Sequence, residues 1–217
     1  MSKSIEGLLL IIKEDAPACW EGYKELAIHD SADAVSELIK LTDSKDWTHK
    51  RAAISALGNH KNGLLAENLL IGELEGKNVH LVKAAINALA GLESKKAHGK
   101  IKNLVNVGDI SIKVEAIRAL GKIWDDSDFN FLLDLYKSCG NVSIKKEIGF
   151  VISCKTNKDN WVFLFNLFKN DETPRHRLWA LQALRDYGDY NALSAKDFLH
   201  DKDGHIRAVA KKYLSRS

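Results

Sequence analysis

The chain has 217 residues, of which 45% are hydrophobic and 28% charged, so its composition argues against a disordered protein and allows a sizeable core. Its formal net charge is +3, and the whole excess lies from Glu172 onward, where nine Lys and Arg face six Asp and Glu. This bias falls well short of the strong basicity expected of a dedicated nucleic-acid domain.

No segment approaches the roughly 20 apolar residues that a membrane span requires. Cys19, Cys139 and Cys154 lack CxxC spacing, so they indicate neither a disulfide framework nor a zinc site. We therefore expect a cytoplasmic protein with reduced thiols.

The first 45 residues are predicted to form helices, because their apolar residues recur at helical spacing over 4–13, 15–29 and 32–41. Only two prolines occur in the whole chain. Since proline is the residue that most strongly disfavours helix interiors, this scarcity favours an all-α protein.

A helical pattern recurs from residue 46 onward. Its last apolar residue falls at Leu57, Leu89, Leu120, Ile152, Leu184 and Leu214, at spacings of 32, 31, 32, 32 and 30 residues. Each copy opens with a residue suited to cap a helix, namely Asp46, Asn78, Asp109, Asn141, Thr173 and Asp203. Glycines at 58, 91, 121 and 188 are predicted to follow these helices in a left-handed exit.

Second helices are predicted between the copies, over 64–74, 97–107, 129–139, 161–168 and 190–199. A pair of about 30 residues cannot bury both apolar faces alone, so neighbouring pairs must stack. The repeat thus predicts an all-α, right-handed solenoid of about six helix pairs. We expect a single domain over 1–217, with N-terminal helices over 1–45 and repeats over 46–217.

The spacing of Asp109, Lys113, Ala116 and Ala119-Leu120-Gly121, repeated in part at Ala56-Leu57-Gly58, resembles HEAT repeats. It is most similar to the short variety named after phycobilisome lyases. The resemblance covers roughly 47–214 and weakens in the fourth copy, where Gly149 stands near its end. It implies that the outward side of each motif helix lines a concave groove.

A helical wheel places one side of the motif helix in the core, with Ile112, Lys113, Ala116, Ile117 and Leu120 together. The position of Lys113 is basic in most copies, at Lys50, Lys145, Arg177 and Arg207. We expect these side chains to bury their stems and carry their charge to carbonyls or capping carboxylates of neighbouring helices.

The outward side carries two exceptional aromatic residues. Phe150 occupies a column that is otherwise polar, and Trp179 stands among small or charged equivalents. The predicted partner-binding residues are Glu115, Arg118, Glu147, Phe150, Trp179 and Gln182. Exposed aromatic residues with polar neighbours are typical of binding hot spots. The alternative is that both rings fold back onto a neighbouring helix, with Trp179 filling space beside Gly149.

Two weaker patterns leave alternatives open. Arg175, Arg185 and Lys212 could contact an anion, or the basic segment 175–179 with its neighbours is a solvated helix end. The nearly continuous apolar helix 161–168 either fills the core beside Gly149 or forms an interface on the convex side.

No catalytic residues, metal site or cofactor are predicted. The eight histidines form no HExxH motif and no His-Glu pair, so the activity of iron-dependent hydroxylases with HEAT-like repeats is not expected. The main hypothesis is a noncatalytic scaffold that binds a protein or peptide in the groove. One alternative is nucleic-acid binding, because some bacterial alkylpurine DNA glycosylases have HEAT-like repeats. The weakest alternative is attachment of a bilin chromophore.

Overall fold

A computed structural model describes residues 3–14, 16–188 and 193–215, and all regular structure within these ranges is helical. The chain divides into two compact units, with Asp128 ending the first and Phe129 opening the second. The first unit contains α1 (Ile5–Ile12), α2 (Ala18–Ala27), α3 (Ala32–Leu41), α4 (Trp47–Asn59), α5 (Glu67–Glu73), α6 (Val79–Gly91), α7 (His98–Val107) and α8 (Ile110–Lys122).

The helix α9 (Ser127–Ser138) begins at the boundary between the units. The second unit continues with α10 (Val142–Cys154), α11 (Trp161–Phe168), α12 (Pro174–Tyr187), α13 (Leu193–Asp197) and α14 (Gly204–Leu214). Short 3-10 turns cover Gly63–Ala66, Lys95–Ala97 and Phe198–His200. Residues 190–192 of the last predicted second helix lie outside the described residues, as does the predicted helix start at Asp15. None of the described helices combines the length and apolarity needed to cross a bilayer.

The motif helices begin where the sequence predicts. Five predicted caps accept backbone N–H groups of the first turn through their side chains, namely Asp46, Asn78, Asp109, Asn141 and Asp203. The prediction is wrong for Thr173, whose side chain makes no capping hydrogen bond. Here Pro174 occupies the first turn, where a missing N–H costs little, and Asp171 accepts the Thr173 amide at 2.8 Å.

In the first unit each motif helix packs against the helix before it, so that α4 pairs with α3, α6 with α5, and α8 with α7. The motif helices also pack side by side, α4 on α6 and α6 on α8. The N-terminal helices follow the same plan, because α1 pairs with α2 and α2 packs on α4. They therefore form a further helix pair beside the predicted repeats.

The last apolar residue of each copy anchors this packing. Leu57, Leu89, Leu120 and Ile152 are fully buried, and Leu184 is nearly so. Burial of each such side chain contributes about 1.5–3 kcal/mol. The final copy differs, since its equivalent leucine is only half-buried.

The prediction that glycines form left-handed exits from the motif helices is wrong. Gly58 and Gly91 lie inside α4 and α6, and none of the described glycines has a positive φ. A Cβ atom on Gly58 would lie 2.4 Å from the Cα of Ala88, and one on Gly91 would lie 3.0 Å from the Gly58 carbonyl oxygen. These glycines therefore permit close helix packing. The left-handed residue after α6 is Glu93, with φ of 53°.

The basic column lies inward as expected in four of its five members, whereas Arg207 is exposed. Lys50 Nζ lies 2.7 Å from the Glu73 carboxylate, and Lys113 Nζ donates to the Asn106 carbonyl at 2.7 Å. Lys145 differs, because its ammonium group lies 5.1 Å from the centre of the Tyr136 ring instead. In these three copies the charged end of the side chain thus contacts a group of a neighbouring helix, as expected for a basic side chain whose methylene groups are buried.

Arg177 makes the most extensive contacts in this column. Its Nε and one terminal nitrogen donate to both oxygens of Asp201, at 2.7 and 2.8 Å. Its other terminal nitrogen donates to the carbonyls of Asp171 and Glu172. The Arg177 and Asp201 side chains are 4% and 6% exposed, so this bidentate pair is buried. It joins α12 to the turn that precedes α14.

Candidate functional site

Phe150 on α10 and Trp179 on α12 come together on the exposed side of the second unit's motif helices, which we call the motif face of that unit. Their ring centres lie 6.3 Å apart, with planes inclined at 50°. Phe150 is 52% exposed, as its position on the helical wheel predicts, whereas Trp179 is half-buried. The site therefore combines an exposed phenyl ring with a half-buried indole.

The indole of Trp179 is supported from beneath. Its ring stacks on that of His176, with the ring centres 5.3 Å apart, and its centre lies 6.3 Å from the centre of the Phe168 ring. A Cβ atom on Gly149 would come within 3.2 Å of the indole, so Trp179 does fill the space beside this glycine. On the solvent side, the Arg175 guanidinium carbon lies 5.9 Å from the indole centre. The alternative of inward packing thus holds for Trp179 but not for Phe150.

A buried polar cluster lies under this aromatic pair. The Tyr136 hydroxyl donates to Asp171 at 2.5 Å and lies 2.8 Å from Nδ1 of His176. The same Nδ1 lies 3.0 Å from the other Asp171 oxygen. Because Tyr136 donates its proton to Asp171, its hydroxyl oxygen is free to accept. With a proton on Nδ1, His176 donates to this oxygen or to Asp171. This cluster holds the ring on which Trp179 stacks.

Sequence reasoning missed this cluster, because both interpretations of segment 175–179, an anion contact and a solvated helix end, treat it as surface. His176 is 1% exposed, so neither interpretation describes it, whereas Arg177 is 3% exposed, as its place in the inward basic column predicts. The signal was present in the repeat, since His176 aligns with the inward Ile112. Tyr136 comes from another helix, 40 residues earlier in the chain, and no local pattern connects it to His176.

The electrostatics follow from burial and hydrogen bonding. Burial lowers the pKa of His176 below its ordinary 6.5, against the pull of Asp171. Burial tends to raise the pKa of Asp171, but hydrogen bonds from Tyr136 and from the Thr173 amide hold it below its ordinary 3.8. The charge of His176 and a hydrogen bond with its ring lower the pKa of Asp171 further. Burial, reinforced by Asp171, raises the pKa of Tyr136.

Acidification should therefore destabilise the second unit. The pKa of His176 is lower in the folded chain than in the unfolded chain, so the unfolded chain binds the proton first as pH falls below about 6.5. Stability that is present above this pH is lost as pH falls through the folded-state pKa. Thermal unfolding followed by circular dichroism at pH 7 and pH 5 should show this loss, with a smaller pH dependence in His176→Gln. An equal pH dependence in both proteins would assign the effect to other groups.

Gln182 borders a shallow depression beside Trp179. The depression has a volume of about 180 Å³, and its other walls include Ser153, Asp186 and Tyr187. The Tyr187 hydroxyl donates to the Thr156 carbonyl at 3.1 Å, which fixes one side of it. A side chain entering here would meet polar groups next to the indole.

The predicted binding residues divide between the two units. Glu147, Phe150, Trp179 and Gln182 belong to the second unit, with Glu147 half-buried on α10. Glu115 and Arg118 belong to the first, where they form an ion pair at 3.5 Å within one turn of α8. Their role in partner binding stays a prediction.

The predicted anion contacts are unequal. Arg185 is already engaged, because it forms a two-point ion pair with Asp186 at 2.5 and 2.8 Å and donates to the Tyr213 hydroxyl at 2.7 Å. An anion would have to displace this carboxylate, which argues against Arg185 as an anion contact. Arg175 and Lys212 are exposed, and their contact with an anion stays a prediction.

The apolar helix α11 is only partly used by the core. Leu164, Phe165 and Phe168 are buried, as core packing requires, but Val162 and Phe163 are 47% and 60% exposed. The expectation that the aromatic excess fills the core is therefore wrong for Phe163. The second unit thus has a second exposed phenyl ring, on a different helix from Phe150.

No protein-family model matches this chain, and no curated protein matches it in sequence. Solved structures do resemble it in fold. One is an archaeal HEAT-like repeats protein from Thermococcus onnurineus NA1, with a TM-score of 0.59 and 16% identity over 97% of this chain and 95% of that one. Another is the complex of CpcE and CpcF of phycocyanin lyase from Nostoc sp. PCC7120, with a TM-score of 0.56 and 17% identity over 99% and 88%.

An engineered protein is similar as well, with a TM-score of 0.53 and 18% identity over 97% of this chain and 67% of that one. At these identities the likeness concerns the fold alone. Stacked helix pairs, capped motif helices and these structural neighbours agree, and the chain has the fold of a HEAT-like α-solenoid.

Proposed function

We propose that the chain is a noncatalytic scaffold that binds a protein or peptide on the motif face of its second unit. The observation that carries the proposal is the exposed Phe150 ring beside the supported Trp179 ring. Rigid aromatic anchors bind with little loss of side-chain entropy, and they dominate the affinity of many interfaces. Arg175 over the indole adds a hydrogen-bond donor at the edge of this site.

Two further observations support a protein partner. Solenoids of helix pairs present extended surfaces that are used for binding. In addition, one structural neighbour is described as a complex of two proteins, CpcE and CpcF. The polar depression beside Gln182 would orient a partner side chain next to the aromatic pair.

The test compares Phe150→Ala and Trp179→Ala with Phe163→Ala, which removes an exposed ring from α11. Partner capture from native lysate, quantified after the partner is identified, should fall by roughly 30-fold for each motif-face variant, as a loss of about 2 kcal/mol implies. It should be unchanged for Phe163→Ala. Loss of capture in Phe163→Ala alone would place the interface on α11 and overturn the proposal.

Nucleic-acid binding is the competing function, and the contacts of the basic residues disfavour it. Arg177 is paired with Asp201, and Arg185 with Asp186, which removes two C-terminal cations from a phosphate-binding surface. Titration with duplex and single-stranded DNA at two salt concentrations separates the two functions. Salt-sensitive binding of either DNA that is lost in Arg175→Ala would favour nucleic acid over protein.

A further inference from the structure

The first unit contains an open pocket between α2 and α4, far along the sequence from Phe150 and Trp179. Its volume is about 630 Å³, within the range of about 300–1,000 Å³ that is usual for ligand sites. The pocket belongs to the first unit alone. It therefore differs from the site proposed above in both position and residues.

The pocket exists because its floor is made of small side chains. Ala27 and Ala56 are buried, and Ala52 is half-buried beside them. Ala52 occupies the same repeat position as Trp179 in the second unit. Where the second unit has an indole, the first unit has a methyl group and an open volume. A bulky apolar side chain from a partner would fit over this floor.

One wall is aromatic and held in place. The Trp20 ring lies 6.2 Å from Tyr23 and 5.4 Å from His49, and the Tyr23 hydroxyl lies 3.1 Å from Nδ1 of His49. Tyr23 is 3% exposed, and burial raises its pKa to about 12, so the hydroxyl stays protonated at neutral pH. On the rim, Ile28 is 79% exposed. An occupant would bury this isoleucine and the outer part of the indole.

The rim is positively charged. Arg51 is exposed, with its guanidinium carbon 5.9 Å from the centre of the Trp47 ring, and it forms no ion pair within the described part of the chain. Lys24 also lines the pocket and pairs with the exposed Glu21 at 2.6 Å. Among the described residues, no Asp or Glu lines the pocket. This charge complements an acidic ligand.

We propose that this pocket binds an acidic peptide segment in which a bulky apolar side chain is flanked by carboxylates. The apolar side chain packs on the Ala52 floor between Trp20 and Ile28, and a neighbouring carboxylate accepts hydrogen bonds from Arg51. An arginine fork can bind a carboxylate at two points, which makes such contacts specific as well as favourable. This site and the site at Phe150 and Trp179 are independent of each other.

Three fluorescein-labelled octapeptides test the proposal by fluorescence anisotropy. The first has a Phe-Leu centre flanked by glutamates, the second replaces the glutamates by lysines, and the third replaces Phe-Leu by Ala-Ala. The first should bind at least about tenfold more tightly than the other two, because it alone satisfies both the apolar floor and the charged rim. Its affinity should fall as salt is added.

Variants then locate the site. Arg51→Glu reverses the rim charge and Ala52→Leu fills the floor, so each should weaken binding of the first peptide by about tenfold or more. Lys77→Glu is the matched control, since this exposed lysine does not line the pocket, and it should bind normally. Unchanged thermal unfolding in Arg51→Glu would show that its loss of binding is not a loss of folding.

Several outcomes would overturn the proposal. Equal affinity for glutamate-flanked and lysine-flanked peptides, or normal binding by Arg51→Glu and Ala52→Leu, would remove its basis. Binding of anilinonaphthalene sulfonate without binding of any peptide would assign the pocket to small aromatic anions instead. Loss of the first peptide in Phe150→Ala would move that peptide to the second unit, which leaves the function proposed there intact.

Discussion

Replacing Gly58 by alanine should destabilise the protein by about 3 kcal/mol, although glycine to alanine inside a helix normally stabilises. The reason is the packing of α4 on α6. The added Cβ would lie 2.4 Å from Cα of Ala88 and 2.6 Å from its Cβ, so the two helices would have to move apart. Backbone atoms cannot move aside as a flexible side chain can, and the change therefore disturbs a whole helix contact.

Gly99→Ala is the matched control for this prediction. Gly99 lies in α7, and a Cβ added there would meet nothing within 4 Å. This variant should keep its stability or gain up to about 1 kcal/mol. Chemical denaturation of both variants measures the difference. A Gly58→Ala variant as stable as Gly99→Ala would show that the helices do not require this close approach.

Removing the carboxylate of Asp201 should have the second large effect. Asp201→Ala leaves the guanidinium of Arg177 buried without its counter-charge, and such a change typically costs about 3–5 kcal/mol. The hydrogen bonds with Arg177 hold the pKa of Asp201 below its ordinary value, so the carboxylate is ionised and the pair is intact at neutral pH. The thermal unfolding of the variant should therefore shift strongly downward.

Asp186→Ala provides the comparison for the buried pair. It breaks the ion pair between Asp186 and Arg185, in which the two side chains are 42% and 40% exposed. Exposed pairs of this kind contribute about 0–1 kcal/mol, so this variant should unfold almost as the parent protein does. Comparable losses in the two variants would mean that the Arg177 pair is hydrated and contributes no more than a surface contact.

The repeat made the fold predictable. The recurring leucines identified the buried side of each motif helix, and the capping residues located most of the helix starts, because both are local patterns with a fixed period. The role of Gly58 was not predictable in this way. A glycine near a helix end fits a left-handed exit as well as a close helix contact, and only the position of Ala88 on the neighbouring helix decides between them.

The candidate site was predictable only in part. Phe150 departs from a polar column, and a departure from a repeat can be detected without a structure. The support beneath Trp179 could not be detected, because Tyr136, which lies 40 residues before His176 in the chain, reaches it only through helix packing. The alanine-floored pocket between α2 and α4 was missed for a further reason, since α2 had not been recognised as part of the same layer.

The near contact of Gly58 with Ala88 also sets a length scale on the motif face of the first unit. Helices in contact lie about 8–10 Å apart, and small residues at the contact favour the lower end of this range. Ser55 on α4 and Asn87 on α6 occupy equivalent exposed positions, so polar groups recur there at about this interval. A peptide bound as a β-strand across these helices would present side chains on one face every second residue, about 6.6 Å apart. Its side chains would lose register with the polar groups after a few helices. A polyproline II segment repeats every third residue at about 9.3 Å, and would stay in register for longer.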